Sequence, residues 1–489
     1  MEHSGLNNQK NDWLVEATIT DLQNKLDKNE ITSKELVLMY MARIAEIDQS
    51  GPSINSIIEI NPGALQIAQA LDYERQTKGA RGPLHGIPVV IKDNIDTGDH
   101  MHTSAGSLVL ADSYAQEDAT VAKQVREAGA IILGKTNLTE WANFIAEDMP
   151  TGYSSRGGQT LNPYGTDFIV GGSSAGSGAA IAANLAAVAV GTETCGSILS
   201  PSSQNSIVGI KPTVGLISRK GIIPISHTQD TAGPMARTVE DASILLNILN
   251  GTDSNDPITL TNPLSETDFT HFLKRDGVKG KRIGIARATY FDELNDSQVE
   301  VLNTAIQKLT DLGAVVVDSL EYETTNEDWD INVLLYEFKS GLQAYLKNVD
   351  PSLEVRTLSD VIRKNNEIGE KALKYGQKLF LDSDKTSGTL TEAEYLRSLE
   401  RDHDWATRRG VDAVMKEHKL DAIVTPNNIG ALLPAVAGYP SITVPAGYAN
   451  DGEPVGITFT GLAYSEPVLI EIAYGFEQAT KHRVAPKFK

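Results

Sequence analysis

Lys92 closes an apolar run, Val90-Ile91-Lys92-Asp93-Asn94, and two serine-bearing segments follow it along the chain. The first is Gly171-Gly172-Ser173-Ser174-Ala175-Gly176-Ser177-Gly178. The second is Gly191-Thr192-Glu193-Thr194-Cys195-Gly196-Ser197-Ile198-Leu199-Ser200-Pro201. A serine hydroxyl is a poor nucleophile until a base is aimed at it, and none of the three segments contains a histidine. Lys92 is therefore the candidate base. An exposed lysine titrates near pH ~10.4, and burial must lower that by about three units before the amine can take a proton near neutrality. The ordinary reading of any one lysine is structural, with its head in water, because lysine is rarely buried. Ser173 and Ser174 also have an ordinary reading, as a helix N-cap and its neighbour.

Two local patterns compete with this constellation. Gly129-Ala130-Ile131-Ile132-Leu133-Gly134-Lys135-Thr136 satisfies the phosphate-loop spacing. A phosphate cradle needs an exposed loop of backbone N–H groups, whereas Ala-Ile-Ile-Leu favours a buried strand, and the match reads as accidental. Gly172-Ser173-Ser174-Ala175-Gly176 satisfies the G-x-S-x-G elbow of α/β-hydrolases. Ser174 would then be the nucleophile of an esterase, with His227, His271, His403, His418 or His482 as its base. The preceding Phe168-Ile169-Val170 is short for the elbow's strand, and Lys92 and Ser197 would have no role. His100 and His102 follow Asp96 and Asp99 without the spacing of a zinc motif and read as a solvated loop.

The elements that must position these residues are partly legible. Thr32-Ser33-Lys34-Glu35 is a capping box, and Leu36, Met39, Tyr40, Ile44 and Ile47 recur at helical spacing within a helical stretch over 13–48. Leu84 to Ile91 reads as a buried strand, Thr120 to Ala128 as a helix and Ala130 to Leu133 as another strand. Ala179 to Val190 reads as an Ala-rich helix. Ile283–Ala286, Ala314–Val317, Ala422–Thr425, Ser441–Pro445 and Val455–Thr460 are further strand candidates, and 286–420 is polar and mostly helical. With no repeat or low-complexity linker, the chain reads as one large α/β domain over 1–489. N-terminal helices take about 1–60, a catalytic core about 61–260, a helical substrate-side elaboration about 286–420, and C-terminal strands and a helix about 421–489.

The 489 residues carry 43 Lys and Arg against 64 Asp and Glu, a net charge of −21. That charge repels phosphate backbones and argues against a nucleic-acid partner. Cys195 is the single cysteine, so no internal disulfide can form. Met1 to Asn11 is polar and lacks the apolar core of a signal peptide, which favours the cytoplasm over export. The twelve-residue stretch Ala179 to Val190 is too short for the roughly 20 residues that span a bilayer, so no membrane partner is expected. The sequence carries no reading of oligomeric state.

Taken together, the Lys92, Ser173 and Ser197 segments closely resemble the amidase signature family of serine hydrolases. The resemblance runs on to Ala437-Gly438-Tyr439-Pro440-Ser441-Ile442-Thr443-Val444-Pro445 and Pro454-Val455-Gly456-Ile457. It implies a central mixed β-sheet flanked by helices and cofactor-free hydrolysis of an amide through an acyl-enzyme. Ser197 would be the acylated nucleophile, Ser173 a bridging serine held by a cis peptide bond, and Lys92 the base. Ser173 would take the proton of Ser197 while Lys92 takes that of Ser173. The backbone N–H groups of Thr194, Cys195, Gly196 and Ser197 would form the oxyanion hole. All three triad positions are filled, which speaks against a binding module that has lost activity.

Most members carry Gly-Thr-Asp-x-Gly-Gly-Ser in the second segment. Here Glu193 replaces the Asp and Cys195 the first paired glycine, where its side chain would narrow the acyl pocket or sit as a small buried hydrophobe. Leu199 replaces an Arg of many members, so that Arg's role does not transfer. Ser226-His227-Thr228-Gln229-Asp230-Thr231-Ala232-Gly233-Pro234, with the Thr-Glu variant, looks most like the peptide-amidase branch. Members of that branch take the terminal amide from C-terminally amidated peptides and release ammonia. Ser174, Gln229 and Asp230 are the candidate substrate-binding residues, with a capping or pairing role equally open for Asp230. The expected partner is a small-molecule or short-peptide amide. The alternative within the family is a broad aliphatic or aryl amidase.

Overall fold

Apolar runs ending at polar, chemistry-bearing residues become strands in the computed structural model, which describes residues 12–488. The polar segment Met1 to Asn11 and Lys489 lie outside the described residues. The strands are β1 (Ile57–Ile60), β2 (Pro88–Lys92), β3 (Ile131–Thr136), β4 (Tyr153–Ser154), β5 (Gly158–Gln159), β6 (Val188–Glu193) and β7 (Val208–Lys211). They continue with β8 (Thr231–Ala236), β9 (Arg282–Ile285), β10 (Val315–Val317), β11 (Ala422–Pro426), β12 (Ser441–Tyr448) and β13 (Pro454–Thr460). Apart from the β4–β5 hairpin they form one 11-stranded sheet in the order β1-β3-β2-β6-β8-β7-β12-β13-β11-β9-β10. Pairing is parallel in β3-β2-β6 and in β11-β9-β10, and antiparallel elsewhere. This is the single α/β domain with a mixed sheet that the sequence predicts.

The register explains why the chemistry gathers at one edge. Lys92 pairs with Thr136, and Ile91 pairs with both Lys135 and Val190. Three parallel neighbours thus end together, and the loops leaving their C-terminal ends converge, as in open α/β sheets generally. β2, β3 and β6 are buried along their whole length. Strands covered on both faces lose polar–apolar alternation and read as continuous apolar runs. That loss accounts for two departures from expectation. Ala179 to Val190 is not one helix: the helix Ala175–Ala182 ends, Asn184 turns the chain at φ +58°, and β6 begins at Val188. A short apolar run cannot be assigned to helix or strand from periodicity alone. Leu84–Ile87 is not strand either, because Gly86 sits at φ +78° and turn bonds run from His85 N–H to Gly82 O and from Ile87 N–H to Leu84 O. Strands β1, β4, β5, β7 and β8 lie outside the strand candidates of the sequence; β8 contains Gly233 and Pro234 and resembles a loop in composition.

The helix Ala175–Ala182 lies close against the sheet edge through its small residues. A Cβ at Gly176 would run into the carbonyl oxygens of Ser56 and Asn137. The capping boxes Thr18–Asp21 and Thr32–Glu35 open the two N-terminal helices. A separate apolar cluster joins Phe338, Leu342 and Phe380 of the helical elaboration to Trp141, Phe144, Ile223 and Ile225. That cluster fixes a helical layer over the loops leaving the sheet. No helix among the described residues is long and apolar enough to cross a membrane.

Candidate active site

Lys92, the last residue of β2, is wholly buried. Its Nζ donates to Ser173 Oγ at 2.8 Å, to Thr192 Oγ1 at 2.9 Å and to Thr192 O at 3.2 Å. Loss of water disfavours the ammonium and brings its pKa from 10.5 to about 7, against the opposing pull of the Glu193 and Asp230 carboxylates. Asn94 Nδ2 donates to the same Thr192 Oγ1 at 3.0 Å. When the amine is neutral, that hydroxyl can turn its own proton toward Nζ.

Ser173 follows a cis peptide bond from Gly172 and is wholly buried, with its carbonyl accepting from Thr139 N–H at 3.0 Å. Ser197 lies on the next loop, tied to the first by Ser174 N–H to Ser197 O at 3.1 Å. Ser197 is 8% exposed, and its Oγ has no hydrogen bond among the described residues, including none to Ser173. Catalytic hydrogen bonds are often open before substrate binds.

Ser174 is placed differently from its neighbour. Its Oγ donates to Thr192 O at 3.0 Å and accepts from Thr192 N–H at 3.3 Å, wholly buried against β6. Its oxygen is thus engaged with backbone, and no histidine among the described residues is bonded to it. Phe168–Val170 is not a strand. This environment favours a lysine base over the esterase alternative.

The loop Thr194–Ser197 is held by two carboxylates. Glu193 Oε1 accepts from Gly196 N–H at 2.7 Å, and Oε2 from Ile198 and Leu199 N–H at 2.7 and 3.0 Å. Gly196, expected to offer its N–H to substrate, is thus already engaged. The N–H groups of Thr194, Cys195 and Ser197 have no acceptor among the described residues. Asp230 Oδ1 accepts from Thr194 Oγ1 at 2.6 Å and Oδ2 from Ile225 and Ser226 N–H at 2.8 and 2.9 Å. Burial raises the Asp230 carboxyl to about 6. Asp230 thus serves the structural role that the sequence left open, while still lining a cavity. Gln229 is buried with Nε2 at 3.5 Å from Thr194 O. Cys195 is open to solvent rather than a buried hydrophobe, although the protein walls around it and the Glu193 charge push its thiol up to about 12.

Two cavities adjoin this edge. One of about 350 Å³ is lined by Asn94, Thr192, Thr194, Asp230, Arg219 and His227. Another of about 670 Å³ shares Arg219 and His227 and extends past Gln229 to Val333, Leu399, Val436 and Tyr464. Lys135 of the phosphate-loop match lies inside β3, its Nζ donating to Ile95 O at 2.7 Å and Thr103 Oγ1 at 2.9 Å, so no anion cradle exists there. His102 is not in a solvated loop: its Nδ1 pairs with Glu59 at 2.8 Å, and Arg156 binds the same carboxylate at 2.6 Å. Thr192 and Asn94 lie in the signalled segments without a role read from the sequence, and Glu193 is marked there only as a replacement for the family's Asp. Glu337, whose buried carboxylate binds the 226–228 turn, stands in the largely apolar helix Asn332–Leu346 with no local signal.

A lysine and serines drawn together beneath a loop of free N–H groups are the parts of a hydrolase. The chain belongs to the amidase family, whose model matches residues 35–470, and it hydrolyses amide C–N bonds. It is 44% identical over 492 residues to a probable amidase of Arabidopsis thaliana, covering 97% of this chain and 92% of that one. The native peptide amidase of Stenotrophomonas maltophilia is 43% identical, with a TM-score of 0.90 over 98% of this chain and 99% of that one. An amidase family protein of Bacillus anthracis is 41% identical, with a TM-score of 0.94 over 100% of this chain and 95% of that one.

Proposed function

We propose that this enzyme releases ammonia from C-terminal peptide amides through Lys92, Ser173 and Ser197. The observation that carries the reading is the buried Lys92 amine, 2.8 Å from Ser173 Oγ and poised to lose its proton at about pH 7. Ser197 Oγ attacks the amide carbon; its proton goes to Ser173 Oγ as the Ser173 proton goes to Nζ. The oxyanion is met by the N–H groups of Thr194, Cys195 and Ser197. The reverse transfer protonates the departing nitrogen, the C–N bond breaks, and ammonia leaves an acyl-Ser197 ester. Water attacks that ester by the same relay, releasing the acid and restoring Ser197. Likeness to the peptide amidase supports a peptide acyl group. So does the pair of cavities sharing Arg219 and His227, which together offer room for several residues. Gln229, at the meeting of loop and cavity, is a candidate contact for the peptide backbone.

The test is ammonia release from a C-terminally amidated dipeptide by the wild type and by Ser197→Ala. Release that vanishes in the variant supports the nucleophile and the substrate class. Release that survives removes Ser197 from the mechanism. A wild type that acts only on aryl or aliphatic amides removes the peptide-amide reading.

A further inference from the structure

Glu193 is the last residue of β6, and its carboxylate turns back over the loop that follows. It accepts three backbone N–H groups, those of Gly196, Ile198 and Leu199. The last two open the short helix Leu199–Gln204, whose first N–H groups have no partner within the helix. One buried side chain thus fixes the loop on both sides of Ser197. The near end of the loop is fixed separately, by Thr194 Oγ1 on Asp230 at 2.6 Å.

Asp230 is itself held. Its other oxygen takes the N–H groups of Ile225 and Ser226. The turn they belong to is bound by the buried Glu337 carboxylate, which accepts from Ser226 Oγ, from Thr228 N–H at 3.2 Å and from Thr228 Oγ1 at 3.0 Å. Tyr395 Oη binds the other Glu337 oxygen at 2.9 Å. A chain of contacts therefore runs from the helical layer to Thr194.

We propose that Glu193 and Asp230 are positioning residues, which clamp the loop Thr194–Ser197 from opposite ends and keep the N–H groups of Thr194, Cys195 and Ser197 aimed at one point. The proposal rests on reading that loop as the oxyanion hole. A hole works by preorganisation: donors that must first be ordered lose much of their worth, and removing one donor costs about 10²–10³ in kcat. Gly196 N–H is given up so that the other three are fixed. The same two carboxylates also face Lys92 and favour its ammonium, opposing burial. Removing either charge should therefore also move the titration of the base.

The experiment compares Glu193→Gln, Glu193→Asp and Asp230→Asn with the wild type in steady-state ammonia release, corrected for active sites by acylation burst. In Glu193→Gln an amide NH₂ replaces one acceptor and faces backbone donors. The expected result is a fall in kcat of about 10²-fold with KM within about threefold, and an acid limb moved to lower pH. Glu193→Asp keeps the charge, so its limb stays with the wild type while part of kcat returns. Asp230→Asn loses kcat and shifts the limb as Glu193→Gln does. A Glu193→Gln enzyme with wild-type kcat per active site overturns the clamp, as does a loss explained entirely by fewer active sites. If Ser197→Ala still releases ammonia, the reading of the site fails; if it is inactive while Glu193→Gln is fully active, the clamp alone fails.

Discussion

The base makes the sharpest demand on experiment. With an ordinary pKa of 10.5, about 3 in 10⁴ molecules would carry a neutral Lys92 amine at pH 7, whereas at about 7 half of them do. Burial therefore raises the supply of base by about 10³-fold at neutrality. The profile of kcat/KM for ammonia release from an amidated dipeptide, between about pH 5 and about pH 9, should show one acid limb centred near 7, because this ratio reports the free enzyme. Asp230 titrates close by, at about 6, and must be told apart. If the limb belongs to Lys92, Asp230→Asn keeps it and moves it to lower pH, since an anion that favours the ammonium is gone. If it belongs to Asp230, the limb disappears. Lys92→Arg should be inactive throughout, because a guanidinium does not release its proton in this range. A flat profile, a limb lost with Asp230, or an active arginine variant each refutes a lysine base.

Ser174→Ala tests which of two adjacent serines belongs to the machinery. Loss of the bonds to Thr192 O and N–H should cost about 1 kcal/mol of stability and leave kcat/KM within about tenfold, read by thermal melts and ammonia release. Complete loss of activity in a folded variant would return Ser174 to the reaction. Asp241, in the helix Val239–Leu249, tests the electrostatics of burial. Its carboxyl is wholly buried and is raised by burial from 3.8 to about 7; among the described residues it accepts only Ile19 N–H at 3.0 Å and Oδ2 has no partner. Between those values the folded state holds the proton that the unfolded state has lost, so stability falls as pH rises, by up to about 4 kcal/mol. Asp241→Asn should raise Tm at pH ~8 and change it little near pH ~4. An equal change at both pH values would refute that account.

What the sequence makes legible follows from what burial does to a chain. The strand before Lys92 and the strands of the C-terminal half show as apolar runs, and Thr32–Glu35 shows as a capping box because its pattern is local. Where a strand is covered on both faces, as in β6, the same apolar continuity hides the passage from helix to strand. Strand β8 is hidden for another reason: its Gly233 and Pro234 are turn formers by composition, yet Gly233 pairs with Gly191 and Pro234 with Val190 in the sheet. Contacts made across the fold leave no such trace. Glu337 binds a turn more than a hundred residues before it, and nothing in its own helix marks its carboxylate as buried.

Burial itself does not mark the base. Lys92, Lys135 and Lys211 are all wholly buried, on β2, β3 and β7, in a chain with a net charge of −21. In each the pKa falls for the same reason, to about 8 in Lys211 and about 7 in Lys92. Lys135 spends its protons on Ile95 O and Thr103 Oγ1, and Lys211 on Pro212 O and Tyr439 O. A carbonyl can only accept, so Lys211 is held as a donor with nothing for its nitrogen lone pair to take; Lys135 does meet a hydroxyl, but Thr103 Oγ1 gives its own proton to Ile95 O at 3.4 Å. Of the three, Lys92 alone meets a serine hydroxyl, which can both accept and give a proton. The separation of base from structural lysine is thus made by the partner rather than by the depth. That partner is set by the loop that brings Ser173, and not Ser174, over the end of β2.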